Sequence, residues 1–425
     1  MAETAAKPAY DVIITGAGPV GTGLALALDG IGYRVALLEA VPFRSDEQPS
    51  YDERSLALAQ ASQRILAGID GRLWSDIAEG ATPIHRIHVS DRGHFGRTVI
   101  DRAEQGVSAL GHVVESRLLG RALEAALTRS GVALFCPATV TAVDRSERRA
   151  RVLARGGDGE RLDLTGALLV AADGAASTVR DLAGIGVRRT EYGQTAVIAN
   201  VTPARPHENI AYERFTDTGP LALLPLSRGR CSLVWTCRDG EESELLGLDD
   251  PEFLRRLGER FGERLGGFRA VGARHAYPLG LQFAERYSDR RLLILGNAAH
   301  VLHPVAGQGY NLGLRDAAVL AEVLAAAPHP DEPGASGHRG GRLPDPGDPA
   351  VLREYVAARQ PDYRRTTVFT DGLVRLFSST RTPLARTRGL GLLALDALPP
   401  ARTALARQAM GFGGRVPRLA RGLRP

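Results

Sequence analysis

Gly16, Gly18 and Gly21 stand in GxGxxG spacing, and Glu39 follows eighteen residues after the last of them. In this pattern the first glycine permits a tight turn, the second lets a pyrophosphate approach the backbone, and the third lets a helix pack closely on a strand. The N-terminus of the following helix attracts anionic phosphates, and a carboxylate at the position of Glu39 accepts hydrogen bonds from a ribose diol. The chemistry is dinucleotide binding, and the glycines and the ribose acid serve NAD and FAD alike. A glycine-rich turn can also exist merely to close a loop, so the context decides. Asp11–Thr15 is a buried-strand run, the helical pattern 22–33 follows the glycines, and a second strand run, 34–40, ends at the acid. Together they form a βαβ unit.

Two later segments have the same build. In the stretch LLVAADGAASTVR a buried strand ends at Asp173-Gly174, with Ser177, Arg180 and a helix after it. In RLLILGNAAHVLHPVAGQGYNLGLRDA a buried strand ends at Gly296-Asn297, and a loop leads into a glycine-rich helix start. Strand ends of this kind put polar groups at the carboxyl edge of an open α/β sheet, where ligands bind.

With GAGPVG and Glu39, DERSLALAQAS containing Arg54, ADGAASTVR, and HPVAGQGYNLGLRDA, the chain resembles the flavin-dependent aromatic hydroxylases of the para-hydroxybenzoate hydroxylase fold. Within them it is most similar to the ubiquinone-biosynthesis hydroxylases. HVSDRGHFGRT and SALGHVVES look like the 2-polyprenyl-6-methoxyphenol hydroxylase branch in particular. The resemblance covers most of the chain and implies a class A flavoprotein monooxygenase. It would use FAD, NAD(P)H and O2 to hydroxylate a polyprenylated phenol, in contact with a membrane surface and with other ubiquinone-biosynthesis proteins. It implies cofactor contacts from Gly16, Gly18, Gly21, Glu39, Arg54 and Asp173, and from Gly296, Asn297, Pro304, Gly307, Gln308, Gly309 and Asn311. The loop with Pro304, Gly307 and Gly309 would face the flavin ring, its N–H groups and helix N-terminus meeting the charge that develops on reduction. One position departs from the pattern: the family's Gly-Asp is here Gly296-Asn297. Asn297 keeps an acceptor oxygen and loses the charge, which weakens a hydrogen bond from the cofactor's ribityl chain. Two other functions stay open on sequence: a flavin-dependent reductase or dehydrogenase acting on a prenyl chain, and a catalytically weak scaffold subunit.

The remaining candidates carry less chemistry. His300 and His303 lack a third ligand or an H-E-x-x-H pattern, so no metal is expected and loop packing is the reading. Arg180 is either a nucleotide contact or a solvated helix residue. Tyr310, Leu223 and Pro225 are expected to face the substrate, with simple core packing as the alternative for so apolar a strand. No Ser-His-Asp or paired-carboxylate arrangement is found or needed, since the cofactor carries the chemistry. The other glycine cluster, GFGG at 411–414, follows no strand, so NAD(P)H has no Rossmann unit of its own.

The elements that must hold these residues form an α/β protein of 425 residues. A discontinuous, Rossmann-like FAD-binding domain with a parallel sheet is expected over 1–75, 105–185 and 281–365. A mostly antiparallel substrate domain enters it as a hairpin, 76–104, and as 186–280, with an acidic helical stretch at 240–265. Between 328 and 349 six residues are proline and five glycine, read as a flexible insertion. The segment 366–425 is a basic helical region. From 381 onward nine arginines face a single acid, Asp396, so the +5 net charge is concentrated there and the body is slightly acidic. That distribution argues against a nucleic-acid partner and leaves the tail either attracted to anionic headgroups or simply solvated. Cys231 and Cys237 share one strand run about 20 Å apart, too far to bridge. With Cys136 they make an odd set suited to a reducing compartment. The first ten residues read as neither signal nor transit peptide, and no apolar run reaches a membrane span. The expectation is a cytoplasmic protein, or one peripheral on the inner membrane.

Overall fold

The computed structural model describes residues 9–42, 54–94, 96–303, 307–327, 343–378, 391, 393 and 395–425. The strand Tyr10–Thr15 lies at the centre of an eight-stranded sheet, with Val12, Ile13 and Ile14 fully buried. It is flanked in parallel by Val35–Leu38 on one side and Arg161–Ala171 on the other. Ala133–Phe135 extends the sheet beyond Val35–Leu38, and Leu292–Ile294 extends it beyond Arg161–Ala171, both also parallel. Strands covered on both faces must be apolar throughout, which is why these runs do not alternate. The antiparallel meander Ala138–Arg145, Ala150–Gly156 and Arg161–Ala171 extends from the same sheet.

One face of this sheet carries the helix Pro19–Asp29 and the long helix Gln308–Ala326, which contribute Leu24, Leu28, Leu314 and Leu320 to the largest core cluster. The two helices approach closely. A Cβ added at Gly313 would come within 2.8 Å of the Val20 side chain.

The second sheet has nine strands. Its centre is the 17-residue strand Val187–Pro203, which pairs antiparallel with Cys231–Arg238 and His275–Ala284. The hairpin Arg86–Asp91 with Arg97–Asp101 forms one edge, joined in parallel to Ile210–Thr216. The helices Glu241–Gly247 and Asp250–Phe261 cover one face of this sheet, burying Leu245, Phe253 and Leu257 against Leu221, Leu223 and Trp235. A third, three-stranded sheet, Ser55–Ala59, Gly111–Glu115 and Thr82–Ile84, was not anticipated from the sequence.

Two sequence expectations change. The insertion 328–349 lies outside the described residues up to 342, but from Leu343 the chain is anchored rather than flexible. Pro344 O accepts from Tyr33 Oη at 3.3 Å, Asp345 pairs with Arg291, and Gly347 leaves no room for a side chain beside Ala167 and Arg291. The boundary expected at 365/366 falls inside one continuous helix, Pro349–Ser378.

Candidate active site

The carboxyl ends of Tyr10–Thr15, Val35–Leu38 and Arg161–Ala171 open into one cavity of about 1060 Å³. At its sheet-end wall, Gly16 turns at φ +93°, and a Cβ there would sit 2.5 Å from Ala172 O. Gly21 does not line the cavity. A Cβ at Gly21 would overlap Gly16 O, so this glycine lets the helix close onto the turn. Gly18 caps the helix Pro19–Asp29 with no side-chain cap, and its first-turn residues Pro19 and Val20 line the cavity. The free N–H groups of that turn are therefore left for a ligand. Glu39, 9% exposed, accepts from Ala17 N at 2.6 Å and Val41 N at 3.0 Å, which fixes its carboxylate at the cavity wall.

The second segment arrives beside the first. Asp173 lines the cavity, receives hydrogen bonds from Ser177 Oγ at 2.5 Å and Val179 N at 3.1 Å, and has its pKa raised by burial. Arg180 is neither of the things expected of it. It is 2% exposed and its guanidinium donates to Ala175 O and Ala298 O, so it ties the second segment to the third.

In the third segment, Gly296 turns at φ +58° behind Val20, and exposed Asn297 lines the cavity. Gly307 begins the long helix at φ +58° without a side-chain cap. A Cβ at Gly307 would stand 3.0 Å from that of Ala57, whereas one at Gly309 would meet nothing within 4 Å and would project into free space. Asn311 spends its whole amide on the protein: it accepts from Ala59 N and Ser62 Oγ and donates to Ala57 O and Gly307 O. It positions the loop instead of offering a free group. Gln308 is 1% exposed and not part of the cavity wall, a correction that follows from its place on the inward side of the first turn. Pro304 lies outside the described residues.

Behind Gly296 and Asn311 a buried charge network locks the helices. Asp316 accepts from Gly296 N at 3.1 Å, Arg359 Nε at 2.7 Å and Tyr363 Oη at 2.9 Å, and His300 Nε2 lies 2.8 Å from its carboxylate. Asp362 joins Arg359 and Arg315 to the same cluster. Burial works against the Asp316 charge, but Arg359 and His300 prevail and hold its pKa down to about 2. His303 is buried against Tyr192, and burial pushes its pKa down to about 4.

The other half of the cavity is the uncovered face of the nine-stranded sheet. Ile87, Val89, Ile198, Ala211, Phe215 and Val234 line it, with Leu110 and Leu405 from outside the sheet. Arg54 also lines it, its guanidinium 5.0 Å from the centre of the Tyr277 ring. Tyr310 lines the cavity with its hydroxyl buried and unpartnered. The expectation for Leu223 and Pro225 is overturned by strand alternation. Pro220, Ala222 and Leu224 face the cavity, while Leu223, fully buried, packs with Phe253 and Leu257 on the opposite face, and Pro225 shares its parity. Glu213, which was not singled out, lines the cavity as well. Its signal was available: a lone acid at an inward position between Ala211 and Phe215.

These features fit FAD. Two uncapped helix N-termini, a fixed carboxylate and an open glycine at 309 line a void larger than the roughly 300–1,000 Å³ of ordinary ligand pockets, with an apolar extension for a second molecule. Residues 9–330 match the family described as FAD binding domain. The chain is 42% identical to "Ubiquinone hydroxylase UbiL" of Rhodospirillum rubrum, over 97% of this chain and 93% of that protein. It is 32% identical to "3-demethoxyubiquinol 3-hydroxylase" of Escherichia coli K12, over 95% of this chain and 98% of that one. The mouse protein "Ubiquinone biosynthesis monooxygenase COQ6, mitochondrial" is 30% identical, over 97% and 93%. The fold matches that of p-nitrophenol 4-monooxygenase PnpA from Pseudomonas putida DLL-E4, with TM-score 0.75 at 21% identity, covering 96% of this chain and 99% of that one. The chain belongs to the FAD-dependent hydroxylases of ubiquinone biosynthesis.

Proposed function

We propose that the substrate hydroxylated by this chain is a polyprenylated phenol and that the reductant is NAD(P)H. The observation that carries the reading is a single cavity with glycine turns and carboxylates at one end and an apolar sheet face at the other. Bound FAD supplies the redox chemistry that joins the reductant to O2. Gly16, Gly18 and Glu39 would hold its adenosine diphosphate portion, Asp173 and Asn297 its middle, and Gly307 and Gly309 its ring. The apolar wall receives the prenylated ring and excludes water from it. Among the described residues no helix is long and apolar enough to cross a membrane. A prenylated substrate would then be taken from a membrane surface, a role consistent with exposed Arg407, Arg421 and Arg424.

Purified protein loaded with FAD is expected to oxidise NAD(P)H faster when a short-chain prenylphenol is added, and to place one atom of isotopically labelled O2 in the product. Prenyl-chain reduction without labelled oxygen in the product would replace this reading with the reductase. Sedimentation with vesicles of anionic lipid, against neutral vesicles as control, tests the membrane contact; equal recovery with both would remove it.

A further inference from the structure

Among the described residues, the apolar half of the cavity holds one group able to exchange a proton near neutral pH. Three carboxylates among the described residues line the cavity: Glu39, Asp173 and Glu213. Backbone N–H groups hold Glu39, and Ser177 and Val179 hold Asp173. Glu213 differs, because its Oε1 is buried and has no hydrogen-bond partner. It stands in mid-sheet on Ile210–Thr216, beside Val89 on one neighbouring strand and Ala222 on the other. Ala211 and Phe215 precede and follow it on the cavity wall. No cation is paired with it among the described salt bridges, and burial alone lifts its pKa to about 7. Tyr310 lines the same cavity, but burial raises its pKa, so it stays neutral and can share a hydrogen bond without taking a proton, whereas the Tyr212 ring, opposite Leu223, packs against Phe261 on the covered face. Leaving a carboxyl group unpaired in an apolar wall costs stability unless a ligand completes it.

We propose that Glu213 receives the phenolic hydroxyl of the substrate, its carboxylate accepting the O–H···O hydrogen bond and taking the proton as the ring is oxygenated. The assignment rests on the phenol reading above. The oxygen electrophile comes from O2 and the two electrons of the reductant, as the family's hydroxylation supplies. As the new C–O bond forms at a ring carbon, the phenol O–H bond breaks. Its electron pair closes the C=O bond of a cyclohexadienone, and the proton goes to Glu213. The oxygenated carbon then releases its hydrogen as a proton to solvent, the ring electrons are restored, and the Glu213 proton returns to the carbonyl oxygen. The product is a dihydroxybenzene, a catechol or hydroquinone according to the ring carbon attacked, and the carboxylate is regenerated.

The test uses FAD-loaded protein and two probes, 2-geranylphenol and its O-methyl ether, which differ in the ability to donate a hydrogen bond. Wild type is expected to bind the phenol about tenfold more tightly than the ether, the effect of one hydrogen bond to a charged acceptor. Glu213→Leu is expected to bind the ether as wild type does and to bring the ratio near one. Glu213→Gln keeps an acceptor but takes no proton, so it is expected to retain part of the preference while hydroxylation slows by about 10²-fold or more. A preference that survives in Glu213→Leu, or a wild-type rate in Glu213→Gln, overturns the assignment and leaves the phenol reading standing. If FAD-loaded wild type binds neither probe, the phenol reading falls and this role falls with it.

Discussion

Asn297 is the position where one atom type separates this chain from the family pattern, and its side chain is exposed on the cavity wall. A carboxylate there would make a charge-assisted hydrogen bond with a ribityl hydroxyl, roughly twice as strong as that of an amide. Asn297→Asp is therefore expected to tighten FAD binding by about tenfold, measured by fluorescence as the apoprotein is titrated with FAD. Neighbouring leucines give a second contrast. Leu223→Ala empties a packed position against Phe253 and Leu257 and is expected to cost about 2–5 kcal/mol in denaturant unfolding. Leu224→Ala enlarges the cavity wall instead, and is expected to raise KM for a prenylphenol with a much smaller loss of stability. Such parity is not legible from composition. GPLALLP is apolar at nearly every position, so its inward face became visible only with the register against Cys231–Arg238. Glu213 was legible in principle, since a charge within an alternating strand breaks the pattern. The turn at Gly16 and the carboxylate of Glu39 were readable as local steric and hydrogen-bonding needs, whereas Gly21, implied as a cofactor contact, serves helix–turn packing away from the cavity. Arg180 was not, because its two carbonyl partners lie at separate points along the chain.

At the level of elements, the helix Gln308–Ala326 is held by charges buried beneath it as much as by its apolar residues. Asp316→Asn would leave Arg359, 1% exposed, without its full counter-charge. Breaking a buried pair in this way costs about 3–5 kcal/mol, and the Gly296 turn loses its anchor at the same time. Unfolding midpoints in denaturant check this, and FAD content is expected to fall as well. The pH dependence has a definite sign. Asp316 is depressed from 3.8 in the unfolded chain to about 2 in the folded one. Its contribution is complete above about pH 4 and is lost as pH falls through about 2. Wild type is expected to show a steeper fall in stability than Asp316→Asn across that window. If the two curves run parallel, the network does not hold the charge as described. The apolar period of the sequence places this helix at about Gly309–Ala327, within a residue of its observed bounds, because no proline interrupts it. The domain boundary expected at 365/366 falls within its partner Pro349–Ser378, which continues through Pro361.

Across the whole molecule, residues far apart in sequence meet at one cavity: Glu39, Asp173, Asn297 and Gly309. The resemblance in the glycine motifs carried that convergence. The three-stranded sheet behind Arg54 and the docking of the chain end were not foreseen. Leu419 and Ala420 are buried, and a Cβ at Gly68 would press on Leu419, while Arg415 pairs with Glu322. This part of the basic tail is therefore packed onto the body instead of standing off as a solvated helix, with the Arg421 and Arg424 side chains left exposed. Arg381, Arg386 and Arg388 lie outside the described residues. FAD binds the folded chain only, so saturation is expected to raise stability by about 3 kcal/mol at a hundredfold excess over Kd. Thermal unfolding with and without FAD measures this, and equal midpoints would count against a site assembled from separate turns.

The continuous void has a consequence for how its occupants behave. Each molecule that enters becomes part of the other's surroundings, so the affinity of the prenylated guest must depend on whether the flavin is present. Thermodynamics then requires the flavin's residence to respond in equal measure to the guest. Guest affinity and cofactor retention are thus two readings of one coupling, and its sign follows from comparing flavin release with and without the guest.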